Sequence, residues 1–246
     1  MPRIDVEIPA PDGTARGTLV LPEGDGPWPG VVLFPDAGGW REPMVEMAEK
    51  IAAPGYAVLV PDVFYREGDW APIDLNTAFS NADERSRLFG YMGALTNERI
   101  VADAVAYIDF LLARPEVRGE GAGTTGYCMG GRMSMLAAGA LGTKITAAAS
   151  FHGGRIAVEE DPGSPHLKAD QITATVYVAG AVEDSSFTPE QAELLEKALT
   201  EAGVTHTVEF YPAKHGFAVH DHLAAYDPAA AQRHYEALAS LYGSTL

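Results

Sequence analysis

The residues best suited to covalent chemistry lie in Gly126-Tyr127-Cys128-Met129-Gly130-Gly131, which holds the only cysteine of the chain. The pattern is G-x-nucleophile-x-G, the signature of a sharp strand-to-helix turn that lifts a side chain above a sheet, here with a thiol where serine is usual. Chance leaves it little room. With 26 glycines in 246 residues, glycine on both flanks of one given cysteine arises roughly 1% of the time, and the third glycine takes this to roughly 0.1%. A free cysteine is commonly a small buried hydrophobe, but the flanking glycines argue against that here.

A thiol nucleophile needs a base, and the base needs an acid to orient it. Behind a turn of this kind the acid comes next in the chain and the histidine last. Glu183-Asp184 follows the apolar run Thr175–Gly180, and His215 follows Val208–Tyr211, in Lys214-His215-Gly216-Phe217. Both sites are at the carboxyl ends of expected strands, where open α/β sheets bind ligands. Asp184 is the preferred orienter, with Glu183 as the possible swap. Taken alone, an aspartate before Ser185-Ser186 would be read as a turn former. Of the seven histidines, His215 is best placed as the base and His152, in Phe151-His152-Gly153-Gly154, is the rival. His206 falls within a strand, and His166, His220, His222 and His234 read as surface or helix positions. The N–H of Met129 and that of Ala37, in the loop after an early core strand, are the expected oxyanion donors. His220-Asp221-His222 lacks further clustered ligands, so no metal is expected. Phe34–Gly39 lacks phosphate-loop spacing, and no cofactor is expected.

These residues need a scaffold. Ile4–Ile8 alternates apolar and polar, Pro11-Asp12-Gly13 is a turn, and Thr14–Leu21 is a second strand, which together predict an N-terminal antiparallel hairpin. Val31–Phe34 and Ala57–Val60 are short continuous apolar runs, as in strands buried on both faces. Helices are expected over 43–53, 98–113, 132–140, 190–202 and 229–241, and further strands over 145–151, 174–181 and 205–211. In the second helix Val101, Val105, Ile108 and Leu112 form the expected buried stripe. Residues 64–95 are less regular, an excursion of the kind that forms lids or faces substrate. Strands alternating with helices throughout predict one α/β domain over 1–246, a mostly parallel sheet with helices on both faces.

A formal charge of −17 argues against nucleic acid and anionic membranes as partners. An anionic substrate would need local positive charge to overcome that field. A lone cysteine suits a reducing compartment, and no apolar run nears the length of a membrane span. Residues 1–7 lack the basic-then-apolar order of a signal segment. A cytoplasmic protein, monomer or small homo-oligomer, is expected.

The combination resembles the dienelactone hydrolase family of α/β-hydrolases over nearly the whole chain. The matching residues are Gly126–Gly131, Asp184, His215-Gly216-Phe217, Gly55–Asp62 and Asp83-Glu84-Arg85. The resemblance implies the α/β-hydrolase fold and a small-molecule ester or lactone as substrate. It also implies an acid, commonly glutamate, near the resting thiol to help activate it. That position is Asp36, one methylene shorter. Members that hydrolyse dienelactones clamp a substrate carboxylate with two arginines near a tyrosine. One arginine corresponds to Arg87 and the tyrosine to Tyr91, while the second arginine's position is Val219, which removes a charge-assisted partner. The expected protein is a hydrolase that cleaves an ester or lactone through Cys128, His215 and Asp184. The alternative is a non-catalytic ligand-binding or redox-responsive protein on the same fold.

Overall fold

In the computed structural model, which covers residues 1–246, the N-terminal alternation becomes β1 (Arg3–Ala10), paired antiparallel with β2 (Gly13–Val20) across a Pro11-Asp12 turn. The continuous apolar runs become β3 (Trp28–Phe34) and β4 (Ala57–Pro61). Then follow β5 (Val117–Tyr127), β6 (Ile145–Phe151), β7 (Thr175–Glu183) and β8 (His206–Lys214). The eight form one sheet in the order β1-β2-β4-β3-β5-β6-β7-β8. β3 to β8 run parallel, and the hairpin adds to β4 antiparallel.

There are six α-helices, all but α2 packed on the sheet: α1 (Glu42–Ala52), α2 (Ala82–Ala94), α3 (Asn97–Leu112), α4 (Met129–Leu141), α5 (Pro189–Glu201) and α6 (Pro228–Thr245). None is long and apolar enough to cross a membrane. Alternate strand residues feed two cores, as a period of two requires. Val32, Phe34 and Leu59 pack with α3, α4 and α5 on one face. Val31, Leu33, Val58 and Val60 pack with α1 and α6 on the other. Each large apolar side chain buried this way contributes about 1.5–3 kcal/mol.

The structure corrects several expectations. Residues 82–94 form a helix, α2, capped by the Asn81 side chain, which accepts from the Asp83 and Glu84 amides. Its apolar periodicity is faint because Leu88 is its one buried residue. The buried stripe of α3 is Ile100, Ala104, Tyr107, Ile108 and Leu111, whereas Val105 is exposed. Aliphatic residues alone had placed the face one position off; Ala104 and Tyr107 decide it. β5 begins nine residues before Gly126 of the elbow, over a stretch that Gly119 and Gly121 disguise. His166 and His234 are buried, and His234 Nε2 lies 3.1 Å from the Tyr127 hydroxyl.

The sheet order places the site. After β3 the chain crosses to β4 on one side and later returns to β5 on the other, so the order reverses at β3 and β5. Ligands bind at such switch points, beyond the carboxyl ends of the strands. The register pairs Phe34 with Gly126, Tyr127 with Phe151, and Glu183 with Lys214. The residues that follow, Asp36-Ala37, Cys128, His152, Asp184 and His215, therefore emerge along one edge.

Candidate active site

Cys128 caps α4 with φ 54° and ψ −116°, a conformation that L side chains rarely adopt. Such strain costs about 1–3 kcal/mol and persists only where the surroundings enforce it. Close packing enforces it here. A Cβ on Gly126 would overlap the Gly130 carbonyl, one on Gly130 the Phe34 and Pro35 carbonyls, and one on Gly131 the Ser150 hydroxyl. The glycines thus press the start of α4 onto the loop after β3, which sets Ala37 and Met129 to either side of the thiol. The Ala37 amide, buried in that loop, donates to no protein acceptor. Met129 is the first residue of α4, where a helix leaves its amides unpaired.

His215 and Asp184 meet at the same edge. His215 Nδ1 donates to Asp184 Oδ2 at 2.6 Å, which leaves Nε2 as the free imidazole nitrogen. Asp184 Oδ1 accepts from the Ser186 amide at 2.7 Å and from its hydroxyl at 2.6 Å. The turn contact and the contact to His215 thus coexist on Asp184, one on each oxygen. Ser186, whose hydroxyl is also 3.1 Å from His215 Nδ1, had no distinguishing signal in the sequence. Glu183 is exposed. Burial pulls the His215 pKa down, but hydrogen bonding to Asp184 and Cys128 outweighs it and pushes the pKa up to about 10. Burial likewise opposes ionisation of Asp184, and the bond from His215 holds its pKa below the ordinary value.

A stability profile follows from the raised histidine. The unfolded imidazole titrates near 6.5, so its contribution is complete below about pH 6.5 and is lost as pH rises through about 10. Urea midpoints measured between these limits should decline, and Asp184→Asn should flatten the decline. Parallel profiles for the two proteins would show that the carboxylate does not hold His215 charged.

His152 is fully buried, also with positive φ, and neither ring nitrogen finds a partner. Its ring packs edge-on to His215 and Phe217, with centroids 5.2 and 5.0 Å away. Burial, with His215 adding to it, keeps this imidazole well below the ordinary pKa, so it forms a neutral shelf behind His215.

Asp36 is fully buried beside the elbow, but its oxygens are engaged elsewhere. Arg41 grips both, at 2.6 and 3.0 Å, and the Gly38 amide donates to Oδ1 at 2.9 Å. His222 Nε2 lies 3.2 Å from Oδ2, at ion-pair distance but not aligned as a hydrogen bond. Arg41 also binds Asp221 through Nε and Nη2, at 2.8 and 2.9 Å. Burial works to raise the Asp36 pKa, yet Arg41 holds it well below the usual carboxylate range. The geometry shows no hydrogen bond from Asp36 to the thiol; the carboxylate anchors Arg41 instead. Sequence reasoning missed Arg41, because the ligands it joins are 185 positions apart, at Asp36 and Asp221.

Cys128, His215 and Ala37 line a cavity of about 510 Å³. Leu75, Phe79, Leu88, Phe89, Met92 and Leu223 supply most of its wall. The irregular excursion therefore faces Cys128. Asn76 clasps it to the loop opposite, donating to the Asp221 carbonyl at 2.8 Å and accepting from the Leu223 amide at 2.9 Å. No lysine or arginine lines this cavity. Arg87 pairs with Glu84 at 2.9 Å and lies over the Tyr91 ring. Tyr91 packs against Phe64 and Trp70. The structure does not bring Arg87 or Tyr91 to the cavity, and Val219 is buried in the core.

A mostly parallel eight-stranded sheet in this order, with a strained elbow after β5, is the α/β-hydrolase fold. Within it the chain belongs to the dienelactone hydrolase family, whose model matches residues 15–246, and is an ester or lactone hydrolase. A Synechocystis protein provisionally named a carboxymethylenebutenolidase is 28% identical, with 98% of this chain and 96% of that protein aligned. Carboxymethylenebutenolidase of Pseudomonas putida is 32% identical over 54% of each chain. Among solved structures, a dienelactone hydrolase-like promiscuous phosphotriesterase from metagenomic libraries superposes with a TM-score of 0.81 at 26% identity, covering 99% of this chain and 98% of that one.

Proposed function

We propose that the protein hydrolyses its ester or lactone by transferring the acyl group to Cys128. His215 Nε2 already carries the thiol's proton, in keeping with its raised pKa, as sulfur adds to the carbonyl carbon. The Met129 and Ala37 amides donate to the developing oxyanion, an effect worth about 3–4 kcal/mol for a donor of this kind. Collapse of the tetrahedral adduct breaks the carbon–oxygen bond, and His215 returns the proton to the departing alkoxide. Water, deprotonated by His215, then cleaves the thioester and restores the thiol. Asp184 keeps the imidazole in the required tautomer throughout. His215 carries each proton transfer, and the proton that restores the thiol comes from the attacking water.

The observation that carries this reading is the meeting of a strained Cys128 with the His215–Asp184 pair at the mouth of one apolar cavity. The cavity wall suits an uncharged hydrocarbon arm on one side of the scissile bond. Rapid mixing with a p-nitrophenyl ester should give a burst of nitrophenolate close to one equivalent. Acid quench should then show the added acyl mass on the peptide bearing Cys128. Steady turnover with no acyl mass on that peptide would overturn the thioester.

A further inference from the structure

Cys128 stands between two cavities. The second, about 340 Å³, opens on the Met129 side and shares Cys128 and His215 with the first. Its wall is different in kind, because Arg132, Arg155 and Ser186 contribute to it. Arg132 projects from the first turns of α4, and Arg155 follows the end of β6, three residues beyond His152.

The two arginines have different duties. Arg132 is spent on structure: one terminal nitrogen donates to the Arg155 carbonyl, and the other reaches the Gly163 carbonyl at 3.0 Å, Asn97 Oδ1 at 3.2 Å and Asp161 Oδ2 at 3.3 Å. Arg155 has one weak tie, from Nη2 to Asp161 Oδ2 at 3.2 Å. Its Nε and Nη1 meet no protein acceptor, and 68% of the side chain is exposed. The backbone is not free, however. Arg155 has φ 55°, and its amide donates to the Ser186 carbonyl at 3.1 Å. Ser186 is the residue that also holds Asp184. The arrangement fixes the base of Arg155 to the loop that carries Asp184 and leaves Nε and Nη1 of this lining residue without a protein partner.

The charges do not cancel. Two guanidinium groups share one carboxylate, Asp161, so the wall carries a net positive charge in a chain of net charge −17. No lysine or arginine lines the larger cavity. We infer that the second cavity is an anion subsite, in which Arg155 binds a carboxylate that the substrate carries across the scissile bond from its apolar arm. This rests on Cys128 being the point of attack. The substrate class is then an ester or lactone with one hydrocarbon side and one carboxylate-bearing side. The free Nε–H and Nη1–H groups offer a carboxylate charge-assisted hydrogen bonds, which a neutral amide of the same shape cannot match.

The test uses 3-butyryloxybenzoate, with its carboxylate on the leaving group, and phenyl hydrogen glutarate, with its carboxylate on the acyl side. Each is paired with its carboxamide. Wild type should favour one carboxylate over its carboxamide in kcat/KM, and Arg155→Gln should lower that ratio about tenfold or more, through KM. Arg155→Lys should keep part of it. Titrating the same ligands into Cys128→Ala, with and without Arg155→Gln, reads binding apart from chemistry. Equal ratios and equal Kd values with and without Arg155 would overturn the subsite. Absence of turnover with a Kd that still depends on Arg155 would instead count against the reaction proposed above.

Discussion

Replacing Cys128 with alanine is expected to lower kcat for a short p-nitrophenyl ester by about 10⁵-fold or more, to near the background of the binding site. Where a nucleophile and its base act as one unit, loss of either removes nearly the whole covalent pathway. His215→Ala should therefore cost about as much as Cys128→Ala, and the double variant little more. Asp184→Asn should cost about 10⁴-fold, because it leaves thiol and imidazole in place but spoils the tautomer that the 2.6 Å bond selects. The ordering matters as much as the size. A protein that merely bound esters, or sensed oxidants through its thiol, would show no such hierarchy. Near neutral pH iodoacetamide should alkylate Cys128 faster than a free thiol, and His215→Ala should slow it. Ester turnover within tenfold of wild type in Cys128→Ala would remove the thiol from the mechanism.

The residues of that unit were legible in the sequence because each ends a strand and each belongs to a local pattern. Gly126, Gly130 and Gly131 announce a turn at which three backbones touch. Asp184 and His215 follow apolar runs whose register then aligns them, Glu183 against Lys214. The parallel sheet, its hairpin and its two faces were legible for the same reason, since buried strands are marked by their own composition. What was not legible depends on contacts between distant segments. Nothing local to Arg41 says that it joins Asp36 to Asp221, and nothing local to Arg155 says that it flanks Cys128. Arg87 was placed by resemblance, but α2 turns it toward Glu84 and Tyr91. His166 and His234 sit in polar stretches whose burial is decided by what packs over them.

Arg41→Ala is expected to destabilise the fold by about 3–5 kcal/mol, the cost of breaking a buried ion pair from one side. Asp36 is fully buried and the Arg41 side chain only 8% exposed, so water cannot replace the lost partner. The variant would leave a carboxylate in the loop after β3 with Gly38 and His222 as its remaining contacts. On a total of roughly 5–15 kcal/mol such a loss is large, and the urea midpoint should fall accordingly. The sign of its pH dependence identifies the cause. In wild type the Asp36 carboxyl is held low by Arg41, so its contribution is present above about pH 4 and lost on acidification. Without Arg41, burial raises that pKa, and acid should relieve the variant by letting Asp36 take a proton. The gap between variant and wild type should thus narrow as pH falls from 7 to 4. Arg41→Met combined with Asp36→Asn should recover most of the stability, because neither charge is then buried alone. Ester turnover should not recover with it, since Ala37 follows Asp36 directly and its amide is aimed by the same anchor. A single variant within about 1 kcal/mol of wild type would mean that Asp36 finds another partner. A double variant with both stability and turnover restored would show that the loop holds Ala37 without the ion pair.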